Sequence, residues 1–352
     1  MYDLIVIGAG WAGFSAAEYA AQAGFKAALI DRDLLGGTCL NYGCIPTKTI
    51  LHTTKLFSQF KKSGKFGINC GQAGIDLIRL NQRVKEINSQ LRSGLEFRLK
   101  SRKIDFFKSP AELINPHQVK IEGSVLEAKY ILIATGSRPI ELPRIKFDGI
   151  KIISSTEALE LSGVPNKILI IGGGVIGCEF AEIFSSLGSN VEVVELTAGL
   201  LPGIDREVAK KLEIILKKKG VKLSLNTDAT TLDFGAYDKI LLCVGRAPHS
   251  DCLGNVEVKK ERNRILVNEY LETSIPTIYS AGDCIGGYLL AHIASYEGRL
   301  AVKNMSGANK EQANYRAVPS AIFTNPEIAV VGLSEEDARK NFGEIIIKKF
   351  DF

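Results

Sequence analysis

Cys39 and Cys44 stand close together in Gly36-Gly37-Thr38-Cys39-Leu40-Asn41-Tyr42-Gly43-Cys44-Ile45-Pro46-Thr47-Lys48, a stretch that runs into a helix led by Pro46. A helix dipole draws a thiol at its N-terminus toward the thiolate, the reactive form, so Cys44 is the better candidate for redox work. The same spacing suits metal ligation, but no second pair and no histidine cluster completes four ligands, His52 being alone. No metal site is expected. Buried, unreactive thiols are the remaining reading. The chain has seven cysteines, and Cys70, Cys178, Cys243, Cys252 and Cys284 are too scattered for a disulfide scaffold.

A second chemical signal occurs twice. Asp3 to Asp31 reads DLIVIGAGWAGFSAAEYAAQAGFKAALID, and Lys167 to Glu195 reads KILIIGGGVIGCEFAEIFSSLGSNVEVVE. Each is an apolar strand, a glycine-rich turn, an amphipathic helix and a second strand closed by an acid. Gly8, Gly10 and Gly13 match Gly172, Gly174 and Gly177, and Asp31 follows the first turn at the spacing with which Glu195 follows the second. Glycines of this kind let backbone approach a pyrophosphate at the helix N-terminus, while the acid accepts hydrogen bonds from an adenosine ribose. The bland alternative is a tight turn packing helix on strand, which a duplicated acid at duplicated spacing argues against. Glu195 would repel a 2′-phosphate, and no arginine directly follows it, so the second site prefers NAD to NADP. Two such folds suit one tightly held flavin and one exchangeable nicotinamide. On these residues alone, either could take either site.

The elements that must position these groups are legible in outline. Helices are expected near Thr47 to Lys61, Leu77 to Lys100 and Asp205 to Lys219. Strands should end at Tyr130 to Gly136 and at Leu241 to Arg246. A turn-rich link, Ser137 to Pro143, leads toward the second unit. From Ser250 to Asn304 the pattern returns to strand, Gly282-Asp283 turn and helix, and from Tyr315 a new pattern starts that is expected to stop in mid-strand at Ile345 to Phe350. The chain of 352 residues suggests two domains and part of a third. With 45% hydrophobic and 24% charged residues it is expected to be globular. The net charge of +5, scattered along the chain, implies no nucleic-acid partner. Apolar runs are too short for a membrane span, and no leader pattern opens the chain, so a cytoplasmic location is expected.

GGTCLNYGCIPTK resembles the redox-disulfide signature of the flavoprotein disulfide reductases, the class I pyridine nucleotide-disulfide oxidoreductases, with Leu-Asn and Ile-Pro-Thr-Lys details nearest the dihydrolipoamide dehydrogenase branch. The similarity extends through Ala134-Thr135-Gly136-Ser137-Arg138-Pro139, Val244-Gly245-Arg246-Ala247-Pro248 and Ser280-Ala281-Gly282-Asp283, and VPSAIFTNPEIAVVGLSEEDA resembles the start of the family's dimerisation domain. It implies an α/β fold: two Rossmann-like FAD- and NAD(P)-binding domains, three-layered with a parallel sheet and a β-meander, plus the start of an α+β dimerisation domain. The implied division is 1–142 as the first part of the FAD-binding domain, 143–249 as the NAD-binding domain, 250–312 as the returning FAD segment and 313–352 as an incomplete dimerisation domain.

The resemblance also implies roles. Gly8, Gly10, Gly13, Asp31, Arg32, Gly37, Thr38, Lys48, Ala111, Thr135, Gly136, Asp283 and Ala291 would hold FAD. Gly172, Gly174, Gly177, Glu195 and Gly245 would line the NAD site. Cys39 would exchange with substrate, Cys44 would face the flavin, and Lys48 and Glu179 would form an ion pair beside it. The implied reaction oxidises dihydrolipoamide, free or on the lipoyl domain of a 2-oxo acid dehydrogenase complex, with NAD, in a homodimer concerned with redox homeostasis. The family's base is a C-terminal histidine paired with glutamate and supplied by the partner subunit. His52, His117, His249 and His292 match no such motif, so a C-terminally truncated chain is expected. The interval from Glu195 to Arg246 is short for the family's NAD domain, as though a hairpin were missing. Competing readings are a glutathione or mercuric reductase, and a diaphorase without disulfide turnover.

Overall fold

The apolar run Tyr2–Ile7 forms strand β1 and passes through the first glycine turn into helix α1, Trp11–Gln22, and strand β2, Ala27–Asp31. The computed structural model describes residues 1–69, 71, 73–307 and 309–350. Cys70 lies outside them. Helix α2 is the short turn Gly37–Asn41, α3 runs Cys44–Phe60 and α4 runs Leu77–Ser101. Pro46 falls in the first turn of α3, where a missing N–H costs no hydrogen bond and the fixed φ suits a helix. The helix therefore begins at Cys44, earlier than its apolar pattern suggests. Asp76 caps α4 by accepting from the Arg79 N–H at 3.0 Å.

Strands β3 (Asp105–Lys108), β4 (Glu112–Asn115), β5 (Gln118–Ile121), β6 (Ser124–Ile133) and β7 (Ser137–Pro139) follow. Next come β8 (Ile152–Ile153), α5 (Ser155–Ala158), β9 (Lys167–Ile171), α6 (Val175–Leu187), β10 (Asn190–Val194), α7 (Arg206–Lys218), β11 (Lys222–Ser224) and β12 (Lys239–Leu242). The chain continues through β13 (Arg246–Pro248), β14 (Lys260–Glu261), β15 (Arg264–Ile265), β16 (Ile278–Ser280) and α8 (Ala291–Ser306) to the hairpin β17 (Pro319–Ile322) and β18 (Ile328–Val331), then α9 (Glu335–Phe342).

Contacts divide the chain into two units. The first comprises Met1–Ile50, Asp76–Ile140 and Gly245–Ala313. Its sheet runs β3-β2-β1-β6-β5-β4, with β16 also on β6. Strand β6 joins the two parts of this sheet. Its first half pairs antiparallel with β5 in the β4-β5-β6 meander, and its second half pairs parallel with β1 and β16. Leu4 and Val6 of β1 join a cluster with α1 and α8, whereas Ile5 and Ile7 join one with Leu113, Val119 and Ile278. Burial on both faces explains why Leu4 to Ile7 is a continuous apolar run rather than an alternating one. Small residues let α1 and α8 approach: a Cβ on Gly298 would lie 2.1 Å from the Ala12 carbonyl oxygen.

The second unit comprises Leu51–Ile75, Glu141–Val244 and Asn314–Phe352. Its sheet, ordered β11-β10-β9-β12-β8, is parallel throughout. Leu169, Ile171, Val194, Ile240 and Leu242 pack one face. The β17–β18 hairpin groups with this unit, as do residues 51–75. Residues 345–350 form no strand, contrary to expectation. An extended apolar run becomes a strand only where its backbone groups find a neighbouring strand, and none pairs with it among the described residues.

Candidate active site

In the first unit, β1 delivers its chain to Gly8, where φ is +106° and a Cβ would lie 2.2 Å from the Ala134 carbonyl oxygen. Only glycine fits there. Gly13 is the third residue of α1, with its Cβ position 1.8 Å from the Gly8 carbonyl oxygen, so the helix lies directly on the turn. Gly10 caps α1, and nothing approaches its Cβ position within 4 Å. Two crowded glycines therefore shape the turn, and the third leaves open space at the helix N-terminus, where a pyrophosphate fits. Asp31 ends β2, its Oδ2 accepting from the Ala9 N–H at 2.6 Å and its Oδ1 from the Asp33 N–H at 2.9 Å. These bonds fix the acid relative to the turn and leave lone pairs for a ribose. Arg32 and Thr38 are exposed, and Ala111 is half-buried.

The cysteine stretch is clamped onto that turn. A Cβ on Gly37 would lie 2.7 Å from the Gly10 Cα, and the Gly36 N–H donates to the Ala9 carbonyl at 2.9 Å. Asn41 donates to the carbonyls of Leu35 and Gly37, and its Oδ1 accepts from Arg92 of α4 at 2.8 Å. Cys39 is half-buried in α2, and Cys44 is exposed as the first residue of α3. The two thiols are joined by a hydrogen bond, which together with burial and the charge of Cys44 holds the Cys39 pKa well above the ordinary thiol value. The Trp11 indole and the Lys48 ammonium oppose that rise.

Other predicted residues gather around the returning segment of the same unit. Asp283 Oδ2 accepts from Ser137 Oγ at 2.5 Å, and Ser137 in turn accepts from Arg246 Nε at 2.8 Å. Arg246 Nη2 also donates to the Ser137 carbonyl at 2.7 Å. Burial lowers the Arg246 pKa, while the charges of Asp283 and Cys44 oppose that effect. Thr135 Oγ1 donates to the His249 carbonyl, and the His249 N–H donates to the Gly136 carbonyl at 2.9 Å. Buried Glu297 accepts from the Gly282 N–H at 2.7 Å and sets the turn before Asp283. Ala291 opens α8, half-buried. Gly245, with φ +126°, belongs to this unit. Arg246 and Ser137 stood inside recognised motifs but were not singled out from the sequence. Their partners are more than a hundred positions away, and the lone signal for them was adjacency to Gly136 and Gly245.

The second unit repeats the first turn. Gly172 has φ +112°, and its Cβ position is 2.5 Å from the Cys243 carbonyl oxygen; that of Gly177 is 1.9 Å from the Gly172 carbonyl oxygen. Gly174 is open, as Gly10 is. Glu195 follows β10, with Oε2 accepting from the Gly173 N–H at 2.7 Å and Oε1 accepting from the Thr197 N–H and Oγ1. The duplicate cradle fits a second dinucleotide. Glu179, buried in α6, accepts from the Phe323 N–H at 3.0 Å. No cluster of metal-ligating side chains occurs among the described residues.

Residues 2–298 match the model of the pyridine nucleotide-disulphide oxidoreductases, and residues 318–352 match that family's dimerisation domain. The chain belongs to this family. A dihydrolipoyl dehydrogenase of Bacillus subtilis strain 168 is 38% identical over 372 residues, covering 99% of this chain and 81% of the relative. A mitochondrial dihydrolipoyl dehydrogenase of Dictyostelium discoideum is 37% identical, covering 99% and 78%. Among solved structures, the HOCl-induced flavoprotein disulfide reductase RclA from Escherichia coli superposes with a TM-score of 0.84 at 30% identity, covering 97% of this chain and 80% of that one. The chain is accordingly an NAD-dependent flavoprotein disulfide oxidoreductase, with FAD and NAD as cofactors. No helix among the described residues is long and apolar enough to cross a membrane.

Proposed function

We propose that the chain oxidises dihydrolipoamide, free or carried on the lipoyl domain of a 2-oxo acid dehydrogenase complex, through a Cys39–Cys44 disulfide and in favour of NAD. The observation that carries this reading is the hydrogen-bonded thiol pair clamped by Gly37 onto the Gly10 turn. FAD, when bound at that turn, supplies the two-electron carrier between the cysteine pair and NAD. Gly8, Gly10, Gly13 and Asp31 hold the flavin's dinucleotide part, aided by Gly37, Thr135, Gly136, Asp283 and Ala291, and Gly172, Gly174, Gly177 and Glu195 hold NAD.

A substrate thiolate attacks Cys39 Sγ, the Cys39–Cys44 bond breaks, and its electron pair leaves on Cys44 Sγ. The N-terminus of α3 and the Arg246 charge favour negative charge there. The second substrate thiolate then attacks the substrate sulfur of the mixed disulfide, closing the substrate disulfide and expelling Cys39 as a thiolate beside Lys48. The substrate loses two electrons and two protons, and the cysteine pair carries the electrons. We assign this activity to a homodimer built through the segment that matches the dimerisation domain, in the cytoplasm, a reducing compartment that suits buried thiols such as Cys178 and Cys284. The test is Cys44→Ser, for which we expect bound flavin to be retained and dihydrolipoamide-driven NADH formation at 340 nm to be lost. Undiminished turnover would overturn the dithiol assignment.

A further inference from the structure

Trp11 occupies a position that a G-x-G-x-x-G turn leaves open to any residue. Its indole Nε1 is buried and makes no well-formed hydrogen bond among the described residues, while lying near enough to the Cys39 sulfur to donate toward it weakly, a condition that native proteins seldom leave without a use. The ring is held in place. It meets Phe14 edge-on at 6.3 Å between centroids and packs on the core cluster that contains Leu35, Leu40 and Leu95. The Gly36–Ala9 hydrogen bond and the Gly37–Gly10 approach press the start of α2 against the start of α1, two residues from Cys39 and one from Trp11.

We propose that Trp11 is a positioning residue for disulfide exchange, its indole N–H held in reserve for the Cys39 sulfur when that sulfur becomes negatively charged. The inference rests on the reading of Cys39 as the exchanging thiol. In the second exchange step Cys39 is the leaving group, and a thiolate leaves faster the lower its pKa. A neutral thiol is a weak acceptor and holds the indole only loosely, whereas a thiolate takes a charge-assisted hydrogen bond from it. The reserve donor thus favours the charged sulfur over the neutral one. The indole is one of two groups, with Lys48, that pull the Cys39 pKa down against burial and Cys44.

The experiment measures iodoacetamide alkylation of the dithiothreitol-reduced, flavin-containing chain against pH, with modification at Cys39 quantified by peptide mass spectrometry. Trp11→Phe should raise the apparent Cys39 pKa by about one unit, a roughly tenfold loss of thiolate below it. Replacing Trp11 by benzothienylalanine, which keeps the ring's shape but not its N–H, should do the same. Wild-type behaviour of the benzothienyl protein would reduce Trp11 to packing and overturn the inference, whatever Trp11→Phe does. If wild-type Cys39 is not alkylated ahead of Cys178 and Cys284, the reading of Cys39 as the exchanging thiol fails, and this inference falls with it.

Discussion

At the scale of single residues, the chemistry depends on groups whose partners lie far away in sequence. Cys39 and Cys44 were legible because their spacing is local. Arg246 was not legible as a partner of Ser137, nor Ser137 as a partner of Asp283, because a tertiary fold alone brings positions 137, 246 and 283 together. Trp11 was hidden for another reason: its role lies in what its nitrogen lacks, and no sequence pattern marks an unsatisfied donor. Arg246 grips Ser137 through two nitrogens, a geometry that lysine cannot reproduce. Arg246→Lys should therefore lower the unfolding free energy by about 1–3 kcal/mol and let flavin dissociate at lower denaturant concentration. Unchanged urea midpoints for both would remove the Arg246–Ser137–Asp283 chain from the account.

At the scale of elements, glycine placement is the most faithful guide. The two βαβ units were read from Gly8, Gly10, Gly13 and Gly172, Gly174, Gly177, and the turns that form are the ones those residues demand. Helix α4 matches its apolar period almost to the residue, whereas α3 starts early because Pro46 tolerates the first turn. The expected strand at 345–350 shows the limit of pattern: an apolar run proposes a strand, but pairing makes one. These turns also give separable predictions. Gly13→Ala places a methyl 1.8 Å from the Gly8 carbonyl and should release flavin; Gly177→Ala makes the equivalent clash at 1.9 Å and should weaken NAD binding while flavin stays. Equilibrium dialysis with each nucleotide checks both. Loss of flavin from Gly177→Ala, with NAD binding intact, would reverse the assignment of sites.

At the scale of the whole molecule, the return of the chain to its first sheet was visible in the Ser280-Ala281-Gly282-Asp283 motif, and β16 pairs on β6 accordingly. Residues 51–75 group with the second unit through contacts that the segment does not encode locally. Family membership now rests on nearly the full length, with the fold, the two cradles and the cysteine pair agreeing. The central claim is that Cys39 and Cys44 form a disulfide in electronic communication with NAD. The most direct test is an anaerobic NADH titration of the oxidised, flavin-containing chain, in which newly exposed thiols are labelled and located by mass spectrometry. The account predicts that Cys39 and Cys44 become labelled together, and that the chain takes up one more two-electron equivalent than Cys44→Ser does. Bleaching of the flavin while the Cys39–Cys44 peptide stays unlabelled, with equal uptake by both proteins, would contradict it.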